Sequence, residues 1–103
     1  METRKEQTSR IRSMESRFRR VRKAVDALNK ALDKYDALLP AIEELDDYQR
    51  SGQWLHDFEA DERGEIDPTL PRGVLSEDGL YDLLSDLDAL RRRLAADARS
   101  SRA

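Results

Sequence analysis

Ten apolar residues recur in unbroken three-four spacing between Ile11 and Ile42. Ile11, Phe18, Val25, Leu32 and Leu39 fall every seven residues, and Met14, Val21, Leu28, Tyr35 and Ile42 fill the second position of the repeat. At 3.6 residues per turn, this spacing gathers the apolar side chains on one face of a helix, as in a coiled-coil seam. The pattern predicts a helix over residues 9–48, roughly 60 Å long at 1.5 Å per residue. Pro40 lies within it. Its ring clashes with the carbonyl four residues back and it has no N–H to donate. The helix is therefore expected to kink near residue 40, or to stop near Leu39 and restart with Pro40 in a first turn. Past that point the seam shifts, with Ile42, Leu45 and Tyr48 three residues apart.

The remaining chain is punctuated differently. Ser51-Gly52 reads as a break, and a short helix is expected over 52–63 with Trp54 and Phe58 one turn apart. Gly64 suits the residue just past its end. The run EIDPTLPRG is too rich in proline and glycine for a regular helix, so 64–75 reads as an ordered loop. Ser76 suits an N-cap, with Glu77 and Asp78 at the positive end of a helix over 76–98. Leu80, Leu87 and Leu94 form one line along that helix, and Leu83 and Leu90 form another. Gly79 in its first turn counts as a cost in helix propensity. Residues 1–8 read as a disordered basic tail and 99–103 as a frayed one. Two seamed helices joined by a compact connector predict an all-α fold: an antiparallel helical hairpin forming a single domain over 9–98.

Composition narrows the function classes. Charged residues make up 40% of the chain and hydrophobic ones 38%, and periodicity is what separates such a composition from disorder. The absence of Cys excludes disulfides, thiolate metal sites and Cys nucleophiles. No apolar run approaches the roughly 20 residues that span a bilayer, and METRKEQTSR has no apolar signal core, so a cytoplasmic location and no membrane partner are expected. Net charge is −3 but unevenly spread: residues 1–30 carry 10 Lys/Arg against 4 Asp/Glu, 31–90 carry 4 against 17, and 91–103 carry 5 against 1. In a hairpin the two basic ends meet, forming a basic pole that includes Arg17, Arg19, Arg20 and Arg92.

Residues 54–78 carry the only Trp, the only His, two of the three Pro and two of the four Gly. Trp54, the word DFEADE (57–62), Gly64, Leu70, the word RGVLSED (72–78) and Tyr81-Asp82-Leu83-Leu84 are specific, and Leu45 and Tyr48 precede them. On these residues the chain, from about Arg10 to Leu90, resembles the small bacterial helical family known as domain of unknown function 4298. The resemblance implies an α-helical protein with no established activity and no catalytic residues to carry over.

The chemistry-bearing residues give little. Asp57-x-Glu59-x-Asp61 begins like a calcium loop, but the sixth position is Glu62 where glycine is needed and the twelfth is Pro68 where a bidentate Glu is needed. No metal and no cofactor is therefore expected. His56 has no second His, no Cys and no nucleophile motif beside it. The basic pole has the charge for phosphates, but Phe18 is its only aromatic and the seam claims it, so nucleic acid ranks behind a solvated charged face. The reading is a non-enzymatic helical module for protein–protein interaction or oligomerisation, with the homodimer as the simplest partner. Nucleic-acid or anionic-surface binding through residues 10–23 and 91–93 is the alternative. The interaction seam is Ile11, Met14, Phe18 and Val21. Trp54, Phe58, Arg72, Gly73, Ser76 and Tyr81 anchor the connector: Trp54, Phe58, Tyr81 and Leu75 as a small cluster, Arg72 by bonding acidic neighbours or helix-end carbonyls, and Gly73 by supplying a positive-φ turn.

Overall fold

The computed structural model describes residues 1–100. They form an all-α fold: α1 over Arg4–Ala37, α2 over Leu39–Arg50, α3 over Gln53–Glu62, a single 3-10 turn over Gly73–Leu75, and α4 over Gly79–Ser100, with no strand among the described residues. The chain divides into two compact units, Met1–Pro40 and Ala41–Ala103.

The first unit is essentially α1. It starts at Arg4, inside the stretch expected to be a disordered tail. The reason is local: Thr3 is extended, and its hydroxyl oxygen accepts a hydrogen bond from the Glu6 N–H at 3.1 Å. Thr3-x-x-Glu6 is the sequence form of a capping box, and it starts the helix two turns ahead of the apolar repeat. Glu2 reaches Arg10 as an ion pair across the same end. At the other end α1 stops at Ala37. Leu38 caps it, with its N–H donating to the Tyr35 carbonyl at 3.0 Å, three residues back. Pro40 explains the break, because it has no N–H for the next helical bond and is tolerated only in a first turn. It is the second residue of α2. Of the two outcomes expected for residues 9–48, a kink or a stop and restart, the second is found: α1 stops and α2 restarts with Pro40 in its first turn.

The second unit is built around two left-handed glycines. Gly52 (φ +86°) turns the chain from α2 into α3, and Gly64 (φ +73°) ends α3. Gly64 donates to the Asp61 carbonyl and Glu65 donates to the Ala60 carbonyl, both at 3.0 Å, which is the paired closure of a Schellman end. The loop after it is pinned by Asp67. Its carboxylate accepts from the Thr69 N–H at 3.0 Å and the Thr69 hydroxyl at 2.8 Å, and its carbonyl accepts from the Leu70 N–H at 3.1 Å. Pro68 fits between them because it fixes φ where a turn needs it.

The 3-10 turn packs against both α3 and α4. Among the described residues three are buried, one from each of these elements: Ala60, Leu75 and Leu80. Half-buried Phe58, Trp54 and Leu84 add apolar surface from α3 and α4. Leu80, Leu84, Leu87 and Leu94 are the shielded positions of α4, at helical spacing, while Leu83 and Leu90 of the expected second line are exposed.

Two connector expectations change. Ser76 does not cap α4. Its hydroxyl donates to the Gly73 carbonyl at 2.8 Å, closing the 3-10 turn, and α4 begins later, with the Asp78 carbonyl accepting from Asp82 at 2.8 Å. The tight turn consumes the side chain before the helix can use it. Gly73 does not supply a positive φ; among the described residues Gly52 and Gly64 do. α4 extends through Ser100, covering part of the expected frayed tail; residues 101–103 of that tail lie outside the described residues.

Candidate interaction surface

The seam of α1 is a surface rather than a core. Ile11 is 59% exposed, Met14 52%, Phe18 63% and Val21 60%. Val25 and Leu28 continue the exposed line, and only Leu32 and Tyr35 are half-shielded. Polar side chains around the seam are engaged along the helix itself: Arg19 pairs with Glu15 at 3.1 Å and Arg22 with Asp26 at 3.3 Å. Arg17 bonds the Ser13 hydroxyl and its carbonyl, and Arg20 reaches the Ser16 carbonyl at 3.5 Å. One-turn pairs of this kind contribute only a few tenths of a kcal/mol each. They steady the helix and leave the apolar face open. Of the residues assigned to a basic pole, Arg17, Arg19 and Arg20 lie on α1. Arg92 lies on α4, 79% exposed and paired with Asp88 at 2.6 Å.

The connector anchors do converge, with one exception. Trp54 and Phe58, one turn apart on α3, stack with ring centroids 5.0 Å apart and planes 16° from parallel. The Trp54 indole N–H donates to the Val74 carbonyl at 2.7 Å and ties α3 to the 3-10 turn. Arg72 forms an ion pair with Asp61, a second tie between the same pieces. Tyr81 stands apart, 67% exposed. It is adjacent to Leu80, about 100° around the helix from the buried position, so only one of the two can face the turn. Leu80 takes the place expected for Tyr81.

Tyr48 and Asp57 form a contact that sequence reading did not foresee. The Tyr48 hydroxyl donates to the Asp57 carboxylate at 2.5 Å, joining α2 to α3, and Gln53 donates to the other carboxylate oxygen at 3.2 Å. Burial and the neighbouring anion push the Tyr48 hydroxyl pKa up to about 12. The hydrogen bond from Tyr48 holds the Asp57 carboxyl below its ordinary value. Asp67 is likewise held low by its bonds from Thr69, and Glu65 by the Arg63 guanidinium at 2.9 Å. Two members of the acidic word 57–62 are therefore structural acceptors, Asp57 for Tyr48 and Asp61 for Arg72. Among the described residues no group of three or more His, Cys, Asp or Glu is arranged to hold a metal ion. His56 is exposed, and its part in this region is a minor charge effect on Asp57 and Glu65. No helix among the described residues is long and apolar enough to cross a membrane.

The family model described as Domain of unknown function (DUF4298) matches residues 11–95 of the 103. The chain belongs to this family. The match runs from the start of the exposed seam through the connector and most of α4, so both surfaces described above lie within the family domain. No curated protein and no solved structure matches the chain.

Proposed function

We propose that this family member is a non-catalytic helical interaction module whose α1 seam engages another helix, the simplest partner being a second copy of the chain. One observation carries the reading: Ile11, Met14, Phe18 and Val21 form four successive seam positions, each more than half exposed, on a helix long enough for a paired coil. Contiguous exposed apolar surface of this kind marks an interaction site more often than a solvent face. The connector is read as a structural clasp, because Trp54, Arg72 and Ser76 spend their polar groups on bonds within it. The absence of Cys from the chain fits work in a reducing cytoplasm.

The test is sedimentation equilibrium on the full chain across a wide concentration range. Wild type is expected to dimerise, and Phe18→Asp to be monomeric with its Trp54 fluorescence unchanged. A wild-type chain that stays monomeric at high micromolar concentration overturns the homodimer. If such a monomer bound DNA or anionic vesicles at low salt, and lost that binding when Arg17, Arg19 and Arg20 were replaced by Ala, the basic face would be the functional surface instead.

A further inference from the structure

Resting on that reading, we infer that two copies pair their α1 seams antiparallel, with Met14 of each copy opposite Leu32 of the other. The charge distribution along α1 sets the direction. Residues 4–23 carry 9 Lys/Arg against 2 Asp/Glu, whereas residues 24–37 carry 2 against 3. A parallel pair lays the strongly basic half on its own copy along its whole length. An antiparallel pair lays it on a half that is nearly neutral and slightly acidic. Paired helix axes lie about 8–10 Å apart, close to the Debye length of about 8 Å at physiological salt, so this difference is felt across the interface.

The residues flanking the seam agree. Arg10 and Arg17 immediately precede the seam residues Ile11 and Phe18, and Glu15 and Arg22 immediately follow Met14 and Val21. Such flanking positions set partner orientation in paired helices. In a parallel pair, Arg10 meets the Glu15 of the second copy, but Arg17 meets its Arg22, and the two contributions offset. The bulk charge is then left unopposed. Antiparallel, Arg10 and Arg17 fall against the second copy's Leu38 and Ala31, where their aliphatic stems lie on apolar surface with the guanidinium in water. Arg22 near the two-fold axis is the one like-charge approach, and each copy already pairs it with its own Asp26 at 3.3 Å. Placing the axis near Lys23 matches Ile11 with Tyr35, Met14 with Leu32, Phe18 with Leu28 and Val21 with Val25. That overlaps the whole seam of α1 up to its break at Leu38. An isologous pair of this kind closes on itself and does not propagate.

The chain contains no Cys, so introduced thiols report cleanly. Full-length Met14→Cys, Leu32→Cys and their equimolar mixture are to be equilibrated in a glutathione redox buffer, with sedimentation run in parallel. The expected result is a dimer in which the mixed disulfide, joining position 14 of one copy to position 32 of the other, accumulates at least about tenfold over either same-site disulfide. A dimer that instead links position 14 to position 14 is parallel and overturns the inference while leaving the proposed function standing. A dimer that links in no combination, or equally in all, also overturns it. A monomer overturns both. Circular dichroism of each variant at equal concentration checks that α1 is intact.

Discussion

Replacing Gly79 with Ala separates local propensity from tertiary contact, because the two predict opposite signs. Gly79 opens α4, and a glycine-to-alanine change in a helix gains up to about 1 kcal/mol. A Cβ built on Gly79, however, falls far inside contact distance of the Ser76 hydroxyl and 2.9 Å from the Gly73 carbonyl oxygen. The Ser76 side chain can rotate away only by giving up its 2.8 Å bond to that carbonyl, a loss of about 0.5–1.5 kcal/mol. The carbonyl is backbone in a tight turn, so it yields only if the turn around buried Leu75 shifts; overpacking of this kind costs about 1–3 kcal/mol. Setting these against the propensity gain, Gly79→Ala is expected to destabilise the second unit by about 1–2 kcal/mol. A small domain converts each kcal/mol into roughly 4–8 °C of melting temperature. Urea unfolding followed by Trp54 fluorescence is the assay, because Trp54 bonds the same turn. The double variant Ser76→Ala/Gly79→Ala removes the hydroxyl clash and retains the backbone one, and is expected to be less stable than Ser76→Ala alone. A Gly79→Ala protein at least as stable as wild type would refute the close approach.

Other outcomes follow from the connector. Trp54→Phe keeps a ring over Phe58 but removes the donor to the Val74 carbonyl, and should cost about 1 kcal/mol in a circular-dichroism melt; no loss would mean that water replaces the bond at no expense. Absorbance titration should show a tyrosine transition near pH 12 that vanishes in Tyr48→Phe. Asp57→Asn should lower that transition only part-way, because burial is its leading cause and the carboxylate a lesser one. The stability signs follow from linkage. Tyr48 has a raised folded pKa, so its contribution is complete below pH 10 and is lost as pH rises from 10 through about 12. Asp57 has a lowered pKa, so its contribution is present above the ordinary carboxylate range and is lost as pH falls through the folded value. A Tyr48→Phe protein with the same pH–stability profile as wild type at both extremes would contradict the pairing.

Some of the connector was legible because the signals act within one turn. The Trp54–Phe58 spacing placed two rings together, and Gly64 marked the end of α3 because only a residue without Cβ accepts its positive φ without cost. Arg72 was legible as a seeker of acids, though not that Asp61 would be its partner, since the two stand 11 residues apart with the loop between them. Tyr48–Asp57 was hidden for a similar reason: each residue has an ordinary local reading, one at the end of a seam and the other in a solvated acidic run. Only the sharp turn at Gly52 brings them to 2.5 Å.

The sequence by itself determined that the chain is helical, that α1 presents one apolar stripe, and that the helix breaks near Pro40. Periodicity, proline geometry and glycine freedom are properties of neighbouring residues and need no fold to express them. The tertiary structure alone decided which residues close the connector. Ala60, Leu75 and Leu80 are buried because the 3-10 turn meets α3 and α4 there. Ser76 closes that turn instead of capping a helix, and Gly79 is tolerated because its missing side chain leaves room for the Gly73 carbonyl. Those roles depend on which surfaces come within a few ångströms across loops, and a loop's path is set by the sum of its contacts rather than by any residue in it.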